Sequence, residues 1–253
     1  MAKIFVYGPS GWGKSASLRN LPPEKTAIVC PDRKALPIAG WRKKYVTVTK
    51  SIPDGKGGTR LYPDWSKSNY LESGNPKTIL DAMTHWEKDP RIEYIALDTI
   101  THMMGSEFMR RILDKGFDKF SEMGKATYDI LNFVRDAKKN YAIFAHNEVA
   151  LDAEGNKVNK VRSFGKLLDE KTEMPSMFTT VLVPVVKRGE NKVQYMFQTQ
   201  SDSYTFAKSP ARFKIIENED GTTTEEAIPA LPFEVPNDLK LVFDLLDKFE
   251  NEE

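Results

Sequence analysis

Gly8-Pro9-Ser10-Gly11-Trp12-Gly13-Lys14-Ser15 matches the spacing G-x-x-x-x-G-K-[ST] throughout. Each residue type has a task in wrapping the terminal phosphates of a nucleoside triphosphate such as ATP. Glycines let successive backbone N–H groups converge on phosphate oxygens without interference from Cβ atoms. Lys14 reaches the β- and γ-phosphates, the Ser15 hydroxyl is a ligand for Mg2+, and Ala16 follows in the same turn. The flanks agree: the apolar run Ile4-Phe5-Val6-Tyr7 reads as a buried strand, and Lys14 to Asn20 as the start of a helix closed by Leu21-Pro22-Pro23.

A second carboxylate completes a metal site. Ile95-Ala96-Leu97-Asp98 is an apolar strand ending in an acid, and Asp98 is placed to hold the magnesium from that strand end. Hydrolysis also needs a group that orients water. Only Thr99 follows Asp98, so the base comes from elsewhere. Asp32, just past a strand Ala27 to Cys30, is the candidate, because the ends of parallel strands share one crevice. His146-Asn147, at the end of the run Tyr141 to Ala145, is placed to sense the γ-phosphate or the attacking water.

The elements that position these groups follow the order β-α-β-α-β-α-α-β, with unalternated apolar strands. That order implies a mostly parallel sheet with helices on both faces. The helices are expected at Thr78–Glu87, Thr101–Lys115 and Gly124–Lys139, with Tyr128, Leu131, Phe133 and Val134 forming most of one face of the last. Ser51 to Pro76, rich in Pro and Gly, reads as a long surface insertion. After Asn147 the pattern turns to hairpins about Glu154-Gly155-Asn156, Arg188-Gly189-Glu190-Asn191 and Glu219-Asp220-Gly221. A helix from Asn237 to Glu250 follows, and Glu250 to Glu253 reads as a frayed tail. With no evident repeat or linker, residues 1–253 read as a single domain.

Composition narrows the classes. The 253 residues carry 37 Lys+Arg against 36 Asp+Glu, so a globally basic nucleic-acid coat is excluded and any such contact is a local patch. No apolar stretch is long enough for a membrane span. The N-terminal run reads as a strand rather than a signal peptide. One cysteine, Cys30, excludes an internal disulfide framework and fits a reducing cytoplasmic compartment. The histidines His85, His102 and His146 are too scattered in sequence to suggest a metal centre. Met103, Met104 and Met109 read as packing residues, and Cys30 as a buried small hydrophobe.

The phosphate loop, Ala27 to Asp32 with Ala35-Leu36-Pro37-Ile38-Ala39, Tyr94 to Thr99 and Tyr141 to Asn147 together resemble the ATPase core of RecA. The resemblance spans Met1 to Phe213 and is closest to the short RecA-core ATPases of bacteriophages, including annealing recombinases. It implies a RecA-like P-loop ATPase fold, ATP and Mg2+ as ligands, a homo-oligomer, and action on single-stranded DNA with a single-strand-binding protein as partner. It also implies the host cytoplasm as location. Asp32 stands where the family has a water-activating glutamate, and His146-Asn147 near a glutamine that couples the γ-phosphate to DNA. Trp12 is unusually bulky for the loop. Tyr204 to Phe213 is similar to the segment whose lysines reach a neighbouring subunit's γ-phosphate, which makes Lys208, and after it Arg212, trans-acting fingers.

Lys157, Lys160, Arg162 and Lys166, with Phe164 among them, form the expected DNA patch: cations track the backbone and an aromatic ring stacks on a base. Trp41-Arg42-Lys43-Lys44-Tyr45 is a weaker basic run that reads as a solvated helix end. Three other readings stay open. A P-loop small-molecule kinase would carry an Arg-rich lid, where this chain turns to hairpins. An AAA-type ATP-driven remodeller or packaging motor would carry a helical lid, where one terminal helix is visible. A nucleotide-binding structural protein would not turn ATP over.

Overall fold

Apolar alternation along a single strand decides how this chain layers itself. In β1 (Lys3–Gly8), Ile4 and Val6 point to one face of the sheet and Phe5 and Tyr7 to the other, and all four are buried. A strand buried on both sides needs cover on both sides. The computed structural model describes residues 1–116, 118–163, 174–190, 192–217 and 222–252. After β1 comes a six-residue 3-10 turn, Ser15–Asn20. Then follow β2 (Thr26–Val29), α1 (Trp41–Lys44), β3 (Thr49–Pro53), β4 (Thr59–Pro63), β5 (Tyr70–Leu71), α2 (Pro76–Lys88), β6 (Tyr94–Asp98), α3 (Ile100–Arg110), α4 (Asp118–Asp136) and β7 (Asn140–Leu151). The remainder is β8 (Lys157–Val161), β9 (Thr180–Arg188), β10 (Val193–Gln198), β11 (Ala211–Glu217), β12 (Thr223–Pro229), β13 (Glu234–Pro236) and α5 (Leu239–Asn251).

The main sheet has the order β13-β10-β9-β1-β7-β6-β2-β5, with β8 paired to β7. β1 runs parallel to β7 and β9, and β7, β6, β2 and β5 continue parallel, so all their carboxyl ends share one edge. β10 is antiparallel to β9, and β13 to β10. The face bearing Phe5 and Tyr7 packs against α2, α3 and α4 through residues such as Met83, Trp86, Met103 and Leu131. The opposite face packs Ile4, Val6 and Phe144 against Leu18, Leu239, Val242 and Phe243. This is the RecA-like P-loop NTPase arrangement: a mostly parallel sheet, helices on both faces, a hairpin-rich second half and a terminal helix.

Two consequences matter for the site. β7 lies between β1 and β6, so a crevice opens where the chain leaves β1 on one side and β6 on the other. And β1 pairs with β9 only as far as Val6 opposite Leu182. Pro184, which has no N–H to donate, sits beyond that point and packs against the end of β1.

Several elements differ from the sequence reading. The helix expected from Lys14 is a 3-10 turn, because Leu21-Pro22-Pro23 ends it before two α turns can form; Leu21 N–H donates to Leu18 O at 3.1 Å. The stretch from Ser51 to Pro76 is more than an insertion. Its first part pairs as the exposed hairpin β3–β4, while Tyr70 and Leu71 extend the main sheet beside β2. Trp65 is buried there, 5.7 Å edge-on to Trp86. The Asp54–Gly58 turn, in which Asp54 Oδ1 accepts from Lys56 and Gly58 N–H, interrupts the alternation that would have announced these strands. In α4 the buried face is Met123, Thr127, Ile130, Leu131 and Val134, whereas Tyr128 is exposed. Met103 and Met104 are buried, but Met109, near the end of α3, is exposed. The expected residues Phe164, Lys166, Asn191, Glu219, Asp220, Gly221 and Glu253 lie outside the described residues.

Candidate functional site: the phosphate-loop cavity

Gly8 is dictated by packing as much as by phosphate: a Cβ there would stand 2.6 Å from Pro184 Cγ. Gly13 holds φ +89°, a conformation that side-chain-bearing residues rarely adopt, and a Cβ there would meet Tyr195 Cδ1 at 3.0 Å. Between them the loop curls so that Lys14 Nζ donates to the carbonyls of Gly8 (2.6 Å) and Pro9 (2.8 Å). Burial lowers the Lys14 ammonium to about 8, against the pull of Asp98 in the other direction. Trp12 points outward and is half-exposed, so its bulk does not crowd the loop.

Ser15 Oγ donates to Asp98 Oδ2, which joins the loop to the end of β6 across the intervening β7. Asp98 is buried. Desolvation pushes its carboxyl up to about 6, while the Ser15 hydrogen bond works the other way. A hydroxyl and a carboxylate side by side are the hard oxygen donors that magnesium takes, and a buried acid with a raised pKa is one that a cation would return to its charged form. The residues therefore fit the ion. Beyond Asp98 the peptide bond to Thr99 is cis, and Thr99 Oγ1 accepts from His102 N–H to cap α3.

Asp32 sits in the turn after β2, where Arg33 takes φ +55°. Cys30 Sγ donates to Asp32 Oδ1 at 3.1 Å, Lys34 Nζ lies 3.0 Å from Oδ2, and His102 Nε2 lies 3.9 Å from it. Burial alone would raise this carboxyl, but the hydrogen bonds from Cys30 and Lys34 outweigh it and hold the group below its ordinary value. Cys30 is thus a hydrogen-bonding partner of the candidate base as well as a buried hydrophobe. His146 is anchored by its N–H to Thr101 Oγ1 at 2.9 Å. Its ring meets that of His102 edge-on at 5.1 Å, and burial followed by the charge of Lys14 lowers it to about 4, so it is neutral at pH 7.

A cavity of about 690 Å3 brings Lys14, Ser15, Asp32, Asp98 and His146 together with Ser10, Gly11, Gly13 and Ala16. Lys208 does not line it. Its Nζ donates to Ser176 O at 3.3 Å and lies over the Phe206 ring. Arg212 is turned away too, bonded to Phe249 O at the end of α5. Lys157, Lys160 and Arg162 are exposed on and just beyond β8, but strand alternation puts Lys160 and Arg162 on one face and Lys157 on the other. That hairpin is tied to the site: Arg162 N–H donates to His146 O at 2.8 Å, and Asn147 Nδ2 to Asn159 Oδ1 at 2.7 Å.

The sequence reading missed His102, Lys34, Tyr195 and Asn237. His102 was set aside as scattered, yet the first turn of α3 carries it to both Asp32 and His146. A helix opening at Ile100, just past the acid-terminated strand β6, was the available signal. Among the described residues no cluster of three His, Cys, Asp or Glu could hold a metal ion, and no helix is long and apolar enough to cross a membrane.

The strand order, the glycine-bent loop and the Ser15–Asp98 pair define a P-loop ATPase. More particularly, the chain belongs to the AAA_24 family of AAA domains, whose model matches residues 1–211. No match is found among curated proteins. Similar solved structures include the KaiC-like protein PH0186 from Pyrococcus horikoshii OT3, at 9% identity, 90% coverage of each chain and a TM-score of 0.45. The flagellar accessory protein FlaH from Methanocaldococcus jannaschii is similar at 12% identity, 89% coverage of each chain and a TM-score of 0.42. Both likenesses are distant, and the assignment rests on the family match and the geometry of the cavity.

Proposed function

We propose that this ATPase couples ATP hydrolysis to single-stranded DNA, in recombination or annealing of the bacteriophage type. Ser15 and Asp98 would hold magnesium, which when bound offsets the charge of the β- and γ-phosphates. Lys14 exchanges its contacts with the loop carbonyls for phosphate oxygens. Asp32, ionised at neutral pH, orients the attacking water and accepts its proton, while neutral His146 offers a ring nitrogen beside the γ-phosphate. Lys208, directed away from its own cavity, serves a neighbouring copy in a homo-oligomer.

The observation that carries the DNA reading is the rooting of the basic hairpin in the catalytic strand. The middle of β7, where its pairing with β1 gives way to pairing with β8, holds His146 and Asn147, and both are bonded to the β8 segment that presents Lys160 and Arg162. A shift at the phosphate thus has a direct mechanical route to exposed cations. A single-strand-binding protein is the expected companion on the same DNA.

ATP hydrolysis measured with and without single-stranded DNA, across a salt series, tests this. The expected result is stimulation that fades as salt rises; a rate indifferent to DNA at low salt refutes it. Membership of an AAA family favours, as second reading, a motor that acts on protein, for which a protein substrate rather than DNA raises the rate. For the trans finger, mixing Lys14→Ala protein with Lys208→Ala protein should restore part of the lost turnover. Mixtures no more active than the sum of their components count against assembly through Lys208.

A further inference from the structure

The phosphate cavity has a second wall, made by elements far along the chain. β10 and β13 lie on the opposite side of β1 from β7, β6 and β2, and their arrangement brings Val193–Tyr195 and the residue after Pro236 to the loop's edge of the sheet. Tyr195 and Asn237 both line the cavity. Both flank Gly13, whose Cβ, if present, would lie 3.0 Å from Tyr195 Cδ1 and 3.2 Å from each end of the Asn237 amide.

Asn237 is held as a recognition group would be held. Its N–H donates to Tyr195 O at 3.1 Å, and its carbonyl accepts from Arg19 Nη1 on the 3-10 turn. The backbone is therefore clamped from both sides. The residue is 2% exposed, yet its Nδ2 has no hydrogen-bond partner. A buried N–H2 without an acceptor costs free energy that a ligand acceptor would recover. Tyr195 is 44% exposed, a ring with a face free to cover a flat heterocycle.

From this geometry we infer that Tyr195 and Asn237 form the base subsite of the cavity and select adenine over guanine. The inference rests on the phosphate-loop reading above and adds to it the residues that read the base. An amide offers one donor and one acceptor side by side. Adenine presents the complement, N6–H2 beside N7, whereas guanine presents two acceptors, O6 and N7. Stacking on Tyr195 adds affinity that does not depend on which purine is bound. A cavity of about 690 Å3 has room for a base beside a triphosphate. The division of labour follows the sheet: charge chemistry toward β2, base recognition toward β13.

Titration calorimetry with magnesium-ATP, magnesium-GTP and magnesium tripolyphosphate tests the assignment. Wild type should bind ATP about tenfold more tightly than GTP. Asn237→Ala should bring that ratio close to unity while leaving tripolyphosphate affinity unchanged. Tyr195→Ala should weaken both nucleotides by about fivefold or more, again with tripolyphosphate unchanged, and Tyr195→Phe should restore them. Because Asn237 is buried, its variant is scored only if it melts as wild type does; otherwise the exposed Tyr195 decides. Full ATP preference in a folded Asn237→Ala protein, or undiminished nucleotide affinity in Tyr195→Ala, overturns the assignment. Wild type that binds tripolyphosphate but ranks ATP with GTP overturns it alone. Wild type that binds none of the three overturns the phosphate-loop reading with it.

Discussion

The two sides of β1 hold the same cavity by different means. Toward β7, β6 and β2 the groups are ionisable and tied to one another: Lys14 is buried beneath loop carbonyls, Ser15 is bonded to Asp98, and Asp32 is held by Cys30 and Lys34 with His102 nearby. Toward β9, β10 and β13 the side chains are neutral, a half-exposed ring and an amide with an unused donor, with Arg19 of the 3-10 turn bonded to the Asn237 carbonyl. The contrast teaches where each kind of damage should appear. Changes on the charged side should move metal-dependent binding and the chemical step, and changes on the neutral side should move base affinity and selectivity.

The sharpest way to break that contrast is Lys14→Ala. Removing the cation proposed to span the β- and γ-phosphates should cut kcat/KM for ATP by about a thousandfold or more, and a variant with undiminished hydrolysis would refute the site. Asp32→Asn comes next. It keeps the shape and removes the proton acceptor, so kcat should fall by about a hundredfold while the Kd for magnesium-ATP holds. A loss confined to affinity would instead make Asp32 a binding group. His102→Asn, which disturbs only the orientation of Asp32 and His146, should cost about tenfold in kcat, and Cys30→Ala less again.

The smallest effect is one of stability against pH. The folded-state value for His146 is depressed to about 4 from an ordinary 6.5. Between those two values the unfolded chain binds more protons than the folded one, so stability falls as pH is lowered through that window. Replacing His146 with Gln removes that contribution. The gap in Tm between pH 7 and pH 4.5 should therefore be narrower in the variant than in wild type. An equal gap would mean that the ring charges freely in the folded state.

How much of this was legible beforehand depended on how locally each feature is encoded. The Gly8–Ser15 loop is contiguous, and Asp98 ends an apolar run, so both could be read directly. The hairpins β7–β8, β9–β10 and β11–β12 were legible because glycine and acidic turn residues separate apolar or β-branched stretches. The order of strands was not encoded in this way. Only once β7 is inserted between β1 and β6 does His146 come near His102, and only the return of β13 along β10 brings Asn237 to Gly13. The segment around Tyr70 was obscured because its buried apolar anchors, Trp65, Tyr70 and Leu71, are few and stand amid prolines and glycines. Trp12 reads as unusually bulky for the loop because sequence position alone does not tell that the side chain is half-exposed.

The central claim is that Ser15 and Asp98 share a metal ion over the phosphates gripped by the loop. Its most direct test is titration of ATP into wild type, Ser15→Ala and Asp98→Asn proteins, with and without Mg2+. The account predicts that Mg2+ strengthens ATP binding to wild type and that this gain is lost in both variants. Equal strengthening by Mg2+ in all three proteins would contradict it.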